Sequence, residues 1–174
     1  DEVDDLHVIK VETKGIESFK GSAENKTVLR IQAGENWDDF VDHAIEHGLA
    51  GVEGMAGIPG TVGAGPVQNI GAYGTEIKDT FVSCNAMQIE TQEIKSFTNA
   101  DCHFGYRESI FKNEAKNKYI IYSVVFKLNK NPKLNTSYGA IKQTLDAKGM
   151  TDPSIKDISN AVIEIRQSKL PNPK

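Results

Sequence analysis

The sequence predicts an α+β domain, in which strands are grouped together and most of the helical sequence follows them. Segments of alternating apolar and polar residues indicate strands, and apolar residues at helical spacing indicate helices. The chain has 174 residues, of which 39% are hydrophobic and 25% charged. This size and composition predict one folded domain, or one domain and a small part of another.

The first third of the chain reads as two strands followed by a helix. Alternation over residues 6–13 and 27–33 predicts strands that each present one face to a core. Asn36 is a suitable helix N-cap, and Gly48 stands where a helix terminator is expected. Between them an apolar stripe at helical spacing consists of Trp37, Phe40, Val41, Ala44 and Ile45.

The remaining strands and helices are predicted further along the chain, and the Val, Ile and aromatic content of 119–128 suits a buried strand. Strands are expected at 81–90, 94–98 and 119–128, with a turn near Thr91 and Gln92 and an irregular stretch at 101–112. Helices are expected at 138–148 and 154–168, with Pro153 near the start of the second.

Composition excludes several functional classes. The net charge of −4 gives no electrostatic reason to expect nucleic acid as a partner. No apolar run approaches the roughly 20 residues that a membrane-spanning helix needs, and the acidic first residues do not resemble a signal peptide. Two cysteines are too few for a disulfide scaffold, so we expect reduced thiols and a cytoplasmic protein.

The segment 48–74, called here the glycine segment, contains nine glycines among 27 residues. Its other residues are mostly Ile, Val, Met and Ala, which favours a packed loop over a flexible linker. Residues 58–74 offer bare backbone N–H groups and small apolar side chains, which suit the close approach of a planar cofactor. A tightly packed cluster of turns is the alternative interpretation.

Three groups of polar residues are candidates for binding. Arg107 follows Tyr106 in a loop and could clamp a carboxylate, although an ion pair with Glu108 is the alternative. Arg166 and Lys169 share a helix face and could receive an anion or simply solvate the helix C-terminus. Asp39, His43 and His47 have metal-ligand spacing but no fourth ligand, so we interpret them as a solvated helix face and predict no metal.

Several motifs together resemble the UDP-N-acetylenolpyruvoylglucosamine reductase family. They are IPGTVGAGPVQNIGAYG at 58–74 and FGYRESIFK at 104–112, with GENW at 34–37, SYG at 137–139 and R-x-x-KLP-x-P at 166–173. The motifs keep the family's order over nearly the whole chain. The resemblance implies a bacterial, cytoplasmic oxidoreductase of peptidoglycan precursor synthesis.

The resemblance also implies a fold, a domain division and a set of site residues. The fold is an FAD-binding subdomain of the vanillyl-alcohol-oxidase type, with a mostly antiparallel sheet flanked by helices. Residues 1–170 would be the second FAD-binding subdomain, and 171–174 would begin a linker to a substrate-binding domain. Flavin contacts are implied for Ile58, Pro59, Gly63, Ala64, Gly65, Val67 and Gly71. Arg107 is implied as the catalytic arginine, and substrate contacts are implied for Tyr73, Tyr106, Tyr138, Arg166 and Lys169.

The implied reaction uses NADPH and FAD to reduce the enolpyruvyl group of a UDP-sugar, with Arg107 binding the substrate carboxylate. The family's pyrophosphate-binding loop and its proton-donating serine have no match here, so the sequence is expected to be a central piece that needs flanking domains and is inactive alone. An isolated FAD-binding module, or a ligand-free structural module, is the alternative function.

Overall fold

The computed structural model describes residues 9–20, 24–130, 132, 134 and 136–169. Within them it has seven strands, β1 (Ile16–Lys20), β2 (Lys26–Gln32), β3 (Gly71–Ala72), β4 (Thr75–Glu76), β5 (Phe81–Gln88), β6 (Ile94–Thr98) and β7 (Tyr119–Asn129). Three α-helices, α1 (Trp37–Glu46), α2 (Gly139–Ala147) and α3 (Ile155–Lys169), accompany them. Short 3₁₀ turns occur at Glu53–Met55, Val62–Gln68, Ile77–Asp79 and Ile110–Lys112.

Five of the strands form one antiparallel sheet with the order β1-β2-β7-β5-β6. The longest strand, β7, is central, and its register opposite β2 sets Leu29 against Phe126. The separate hairpin β3-β4 begins near the end of the glycine segment and extends to Glu76. This arrangement confirms the predicted α+β class and its mostly antiparallel sheet.

The predicted first strand is wrong over its described part. Residues 9–15 form no strand, and Ile9 is 68% exposed. The edge of β2 is paired instead by Ile16–Lys20, which begins directly after Gly15. Gly15 has φ +136°, a conformation that interrupts an extended strand. The described residues before Gly15 therefore do not continue the pairing of β1 with β2, despite their alternating pattern. Residues 6–8 lie outside the described residues.

Helix α1 packs on the sheet through aromatic residues. The Asn36 side chain accepts hydrogen bonds from the backbone N–H groups of Asp38 and Asp39, which confirms the predicted N-cap. The Phe40 ring stacks on Phe126 of β7 with 5.0 Å between centroids, and Trp37 meets Phe40 edge-on at 5.4 Å. All three rings are buried, so they join the helix to the sheet in one core.

The glycine segment is folded against α1 and β2, as predicted for a packed loop. Its residues 60–63 run beside residues 33–37, with Gly63 N donating to Ala33 O at 3.0 Å. The Trp37 indole N–H donates to Met55 O at 3.0 Å. A Cβ on Gly63 would lie 2.5 Å from the Cβ of Ala33, so only glycine allows this approach.

Helices α2 and α3 pack on each other, and α3 also contacts the 3₁₀ turn Glu53–Met55 of the glycine segment. Their positions confirm the two helices predicted near the end of the chain. Among the described residues, no helix is both long and apolar enough to cross a membrane.

Candidate functional site

A cleft of about 610 Å³ lies between the β3-β4 hairpin, the turn at 105–108 and the start of α2. We call it the arginine cleft. Its lining carries three tyrosines, one arginine and several charged groups, and consists of Gly71, Ala72, Tyr73, Gly74, Thr75, Glu76, Lys78, Asp79, Tyr106, Arg107 and Tyr138. The structure therefore brings together five residues that the sequence analysis singled out in separate motifs, Gly71, Tyr73, Tyr106, Arg107 and Tyr138.

Arg107 occupies an unusual backbone position at the tip of its turn. Gly105 and Glu108 exchange backbone hydrogen bonds of 3.0 and 3.2 Å, which closes the turn around Tyr106 and Arg107. Arg107 has φ +55°, a left-handed conformation that costs a side-chain-bearing residue about 1 kcal/mol. The surrounding contacts must hold it there.

The Arg107 guanidinium is held from three sides. Its Nη2 donates to the backbone oxygen of Gly71, and its Cζ lies 5.0 Å from the centre of the Tyr106 ring. The nearest carboxylate oxygen is Oε1 of Glu76, 4.0 Å from Nη1. The side chain is 37% exposed, so part of the charged fork still faces the cleft.

Two buried side chains dock the turn on the glycine segment. The Asn69 Nδ2 donates to Gly105 O at 2.8 Å, and the Ser109 hydroxyl donates to Val67 O at 2.7 Å. Both residues are almost completely buried. Sequence reasoning missed both roles. An asparagine in an otherwise apolar, glycine-rich run is the signal that could have pointed to Asn69, because a buried amide needs partners.

The three tyrosines give the cleft an aromatic wall. The Tyr73 ring meets the Tyr138 ring edge-on at 5.4 Å, and Tyr138 stands at the N-cap of α2. Tyr138 is 44% exposed and Tyr106 is 81% exposed, so both rings are free to contact a ligand. Tyr73, like Arg107, has a positive φ of 49°.

Acidic and basic groups alternate on the hairpin side of the cleft. Glu76 Oε2 lies 2.5 Å from Lys78 Nζ, and Glu76 N donates to Asp79 Oδ2 at 2.9 Å. The hydrogen bond to Glu76 raises the pKa of Lys78. Glu76 thus faces both cations, while Arg107 retains donors for an incoming anion.

A second, apolar cavity of about 450 Å³ is lined by an earlier part of the same glycine segment. Residues 61–67 contribute Thr61, Gly63, Ala64 and Val67, and the lining also includes Ala33, Phe111 and Tyr119. A lining of small residues and aromatic rings fits a flat apolar ring system. One continuous segment thus lines both the apolar cavity and the arginine cleft.

The other predicted site residues lie outside these two spaces. Ile58 is half-buried and Pro59 exposed, while Gly65 packs beneath Ile77, where a Cβ would lie 2.6 Å from the Ile77 side chain. Arg166 lies over Gly57, and its Nε is the one side-chain nitrogen or oxygen within the described ranges that is buried without a hydrogen-bond partner. Lys169 is exposed at the end of α3.

The described histidines, His43, His47 and His103, and the two cysteines line neither space. His43 and His47 stack with 4.1 Å between ring centres, and burial lowers the pKa of His43. No group of three or more metal-ligating side chains comes together in the part of the chain that is described. Cys84 and Cys102 are free and buried, and a hydrogen bond with Cys102 raises the pKa of the Cys84 thiol.

Comparison with known proteins places this geometry in a family. Residues 2–94, more than half of the chain, match the family model described as "FAD binding domain". The chain belongs to this family. The matched residues include the glycine segment and Ala33, which contribute to the lining of the apolar cavity.

Curated relatives extend the match over nearly the whole chain. The UDP-N-acetylenolpyruvoylglucosamine reductase of Flavobacterium johnsoniae is 59% identical over 171 residues, which are 98% of this chain and 50% of that protein. The protein of the same name from Amoebophilus asiaticus is 50% identical over 95% of this chain and 49% of that protein. The chain therefore spans about half the length of the curated relatives it matches. The resemblance inferred from the motifs is confirmed.

A solved structure shares the fold. The crystal structure of UDP-N-acetylenolpyruvylglucosamine reductase from Thermus caldophilus aligns with a TM-score of 0.51 at 19% identity, covering 82% of this chain and 69% of that one. At this identity the likeness concerns the fold alone, and it confirms the fold type expected from the resemblance.

Proposed function

We propose that this chain is the central part of a flavin-dependent reductase that uses NADPH to reduce the enolpyruvyl group of UDP-N-acetylglucosamine enolpyruvate. The product would be UDP-N-acetylmuramate, a precursor of peptidoglycan. One observation carries the proposal: a partly exposed arginine, held in a left-handed turn among three tyrosines, faces a cleft that is lined by the same glycine segment as the apolar cavity. The relatives named above support the choice of substrate.

The cofactor would be FAD, held at its ring by the glycine segment. Gly63, Ala64 and Val67 line the apolar cavity and would contact the flavin, as would Ile58, Pro59, Gly65 and Gly71 according to the family motif. The fit rests on the small residues Gly63, Ala64 and Ala33, which line the cavity without long side chains. FAD, when bound, supplies hydride transfer between NADPH and the substrate.

Arg107 would act on the substrate carboxylate. Negative charge grows on this carboxylate as the neighbouring double bond is reduced, and a fixed guanidinium stabilises that charge at little cost in reorganisation. The bond to Gly71 and the Tyr106 ring keep the fork oriented before substrate arrives. A lysine at this position would keep the charge but lose the planar pair of donors.

The tyrosines and the basic residues of α3 would bind the rest of the substrate. Tyr73, Tyr106 and Tyr138 offer aromatic faces and hydroxyl groups to a sugar nucleotide. Arg166 and Lys169 would attract its diphosphate through their positive charges. Lys169 is the last residue of α3.

The domain division forms part of the proposal. Residues 1–170 would be the second FAD-binding subdomain, and 171–174, which lie outside the described residues, would lead towards a substrate-binding domain. We assign the reaction to the bacterial cytoplasm, where reduced thiols such as Cys84 and Cys102 persist.

The proposal is tested with an exchange protein, in which this chain replaces the matching 171-residue segment of the Flavobacterium johnsoniae relative. We expect this protein to retain FAD through desalting and to oxidise NADPH only when the enolpyruvyl substrate is added. The unmodified relative serves as the reference for both measurements. Retained flavin without substrate-dependent NADPH oxidation would refute the proposed reaction.

The chain alone answers a narrower question. It is mixed with FAD, desalted and examined for flavin absorbance. Retained, shifted absorbance would mean that the glycine segment binds the ring without flanking domains, whereas a colourless protein that melts cooperatively would be a folded, ligand-free module by itself.

A further inference from the structure

We infer that Asn69 is a positioning residue for Arg107, and that its side-chain amide, rather than its backbone alone, sets the arginine on the cleft. This inference rests on the proposed function of Arg107. Asn69 does not line the arginine cleft and was not singled out from the sequence for any role of its own.

The Asn69 amide joins three segments of the chain. Its Nδ2 donates to Gly105 O at 2.8 Å, and its Oδ1 accepts from Lys78 N at 3.1 Å. Its own backbone N–H donates to Gly65 O. The side chain therefore connects the glycine segment, the 3₁₀ turn Ile77–Asp79 and the turn that carries Arg107.

Only an asparagine satisfies every requirement of this position. The residue is 0% exposed and has φ +44°, a left-handed conformation that asparagine, aspartate and glycine tolerate best. One partner is a backbone donor and the other a backbone acceptor, so the side chain must accept and donate at once. Ionised aspartate keeps the acceptor but lacks the donor, and glycine keeps the backbone but lacks both.

The bond to Gly105 fixes the turn at its base. Gly105 and Glu108 bind each other through their backbones, so holding the oxygen of Gly105 holds the whole four-residue turn. Arg107 sits at the tip in its strained conformation, and its own bond to Gly71 acts only on the end of the side chain. Without the amide, the turn can shift while the Arg107 backbone relaxes towards negative φ.

Asn69→Asp and Asn69→Gly test the inference, and Asn99→Asp is the matched control. The Asn69 Nδ2 donates to one backbone oxygen, and the Asn99 Nδ2 donates to two, those of Lys78 and Phe81, at 2.7 and 3.1 Å. The control substitution thus removes the same chemistry from a residue that has no hydrogen bond to the arginine turn.

Two measurements are made on each variant. Amide hydrogen exchange in the 174-residue chain reports how well the N–H groups of Gly105 and Glu108 are protected. Stopped-flow absorbance of the exchange protein separates flavin reduction by NADPH from flavin reoxidation by substrate. We expect both Asn69 variants to lose at least ten-fold protection at these two amides. Reoxidation should slow at least ten-fold and reduction should stay within two-fold, whereas Asn99→Asp should leave both rates within two-fold.

The inference fails if Asn69→Asp and Asn69→Gly keep the reoxidation rate within two-fold, or if Asn99→Asp slows it equally. If Asn69→Asp does not fold, the glycine variant decides alone because it preserves the backbone. An unmodified exchange protein that reduces no substrate would refute the proposed function instead. Unchanged protection at Gly105 and Glu108 would then still overturn the inference.

Discussion

Gly71→Ala is expected to damage the arginine cleft more than it damages the fold. Gly71 begins β3, and an added Cβ would lie 2.5 Å from Thr75 O, 2.9 Å from Glu76 Cγ and 3.1 Å from Arg107 Nη1. The first contact is with backbone and cannot yield without moving the hairpin. The last is with the guanidinium, whose bond to the Gly71 oxygen depends on the same backbone.

The expected cost in unfolding free energy is about 1–3 kcal/mol, as for other inserted methyl groups in tightly packed sites. For a chain of this size that lowers the melting temperature by roughly 2–4 °C per kcal/mol. Urea unfolding followed by circular dichroism measures the first quantity. Flavin reoxidation by substrate in the exchange protein measures the effect on Arg107, and we expect a loss of about ten-fold or more, because the guanidinium must move.

Gly54→Ala is the control, because its Cβ would lie 2.7 Å from Thr75 Oγ1 and presses on the same hairpin without contacting Arg107. It should destabilise the chain by a similar amount and leave reoxidation nearly unchanged. Equal loss of reoxidation in both variants, or a Gly71→Ala protein with full activity, would refute the reasoning.

Three further predictions concern stability. Asn36→Ala should lower the unfolding free energy by about 1 kcal/mol, measured by urea unfolding, because two N–H groups at the start of α1 lose their acceptor. Phe126→Ala should cost about 3–5 kcal/mol by the same measurement, since the ring is fully buried between α1 and the sheet. Hydrogen bonds from Ser154 lower the pKa of Asp157 below its usual 3.8, so its stabilising contribution is present above about pH 4 and lost as the pH falls through the lowered value. As the pH is lowered from 7 to 3, the urea midpoint of unfolding should therefore fall more steeply for the unmodified chain than for Asp157→Asn.

Local patterns predicted most of the fold. Alternation located β2, the Val, Ile and aromatic content located β7, and the Asn36 cap with its apolar stripe located α1, because these features depend on neighbouring residues. The segments predicted at 81–90 and 94–98 correspond to β5 and β6. The prediction of the first strand was wrong because of a local feature that alternation does not detect, the positive φ of Gly15. The residues that pair with β2 are those after this glycine, Ile16–Lys20 of β1.

The candidate site was only partly predictable. Arg107 and the tyrosines were singled out by motif, yet their meeting in one cleft depends on contacts between residues far apart in the chain. Asn69 and Gly105 are 36 positions apart, and Ser109 and Val67 are 42 apart. Neither spacing leaves a periodic signal, so the residues that hold the site together became apparent only in three dimensions.

The most direct test of the central role proposed here uses Arg107→Ala and Arg107→Lys in the exchange protein. Both half-reactions are followed by flavin absorbance in a stopped-flow instrument. We predict that NADPH reduces the flavin at a rate within two-fold of the unmodified protein, whereas reoxidation by the enolpyruvyl substrate falls by about 10²-fold or more for alanine and less for lysine, which keeps the charge. Equal slowing of both half-reactions, or unchanged reoxidation, would contradict the assignment of Arg107 to the substrate carboxylate.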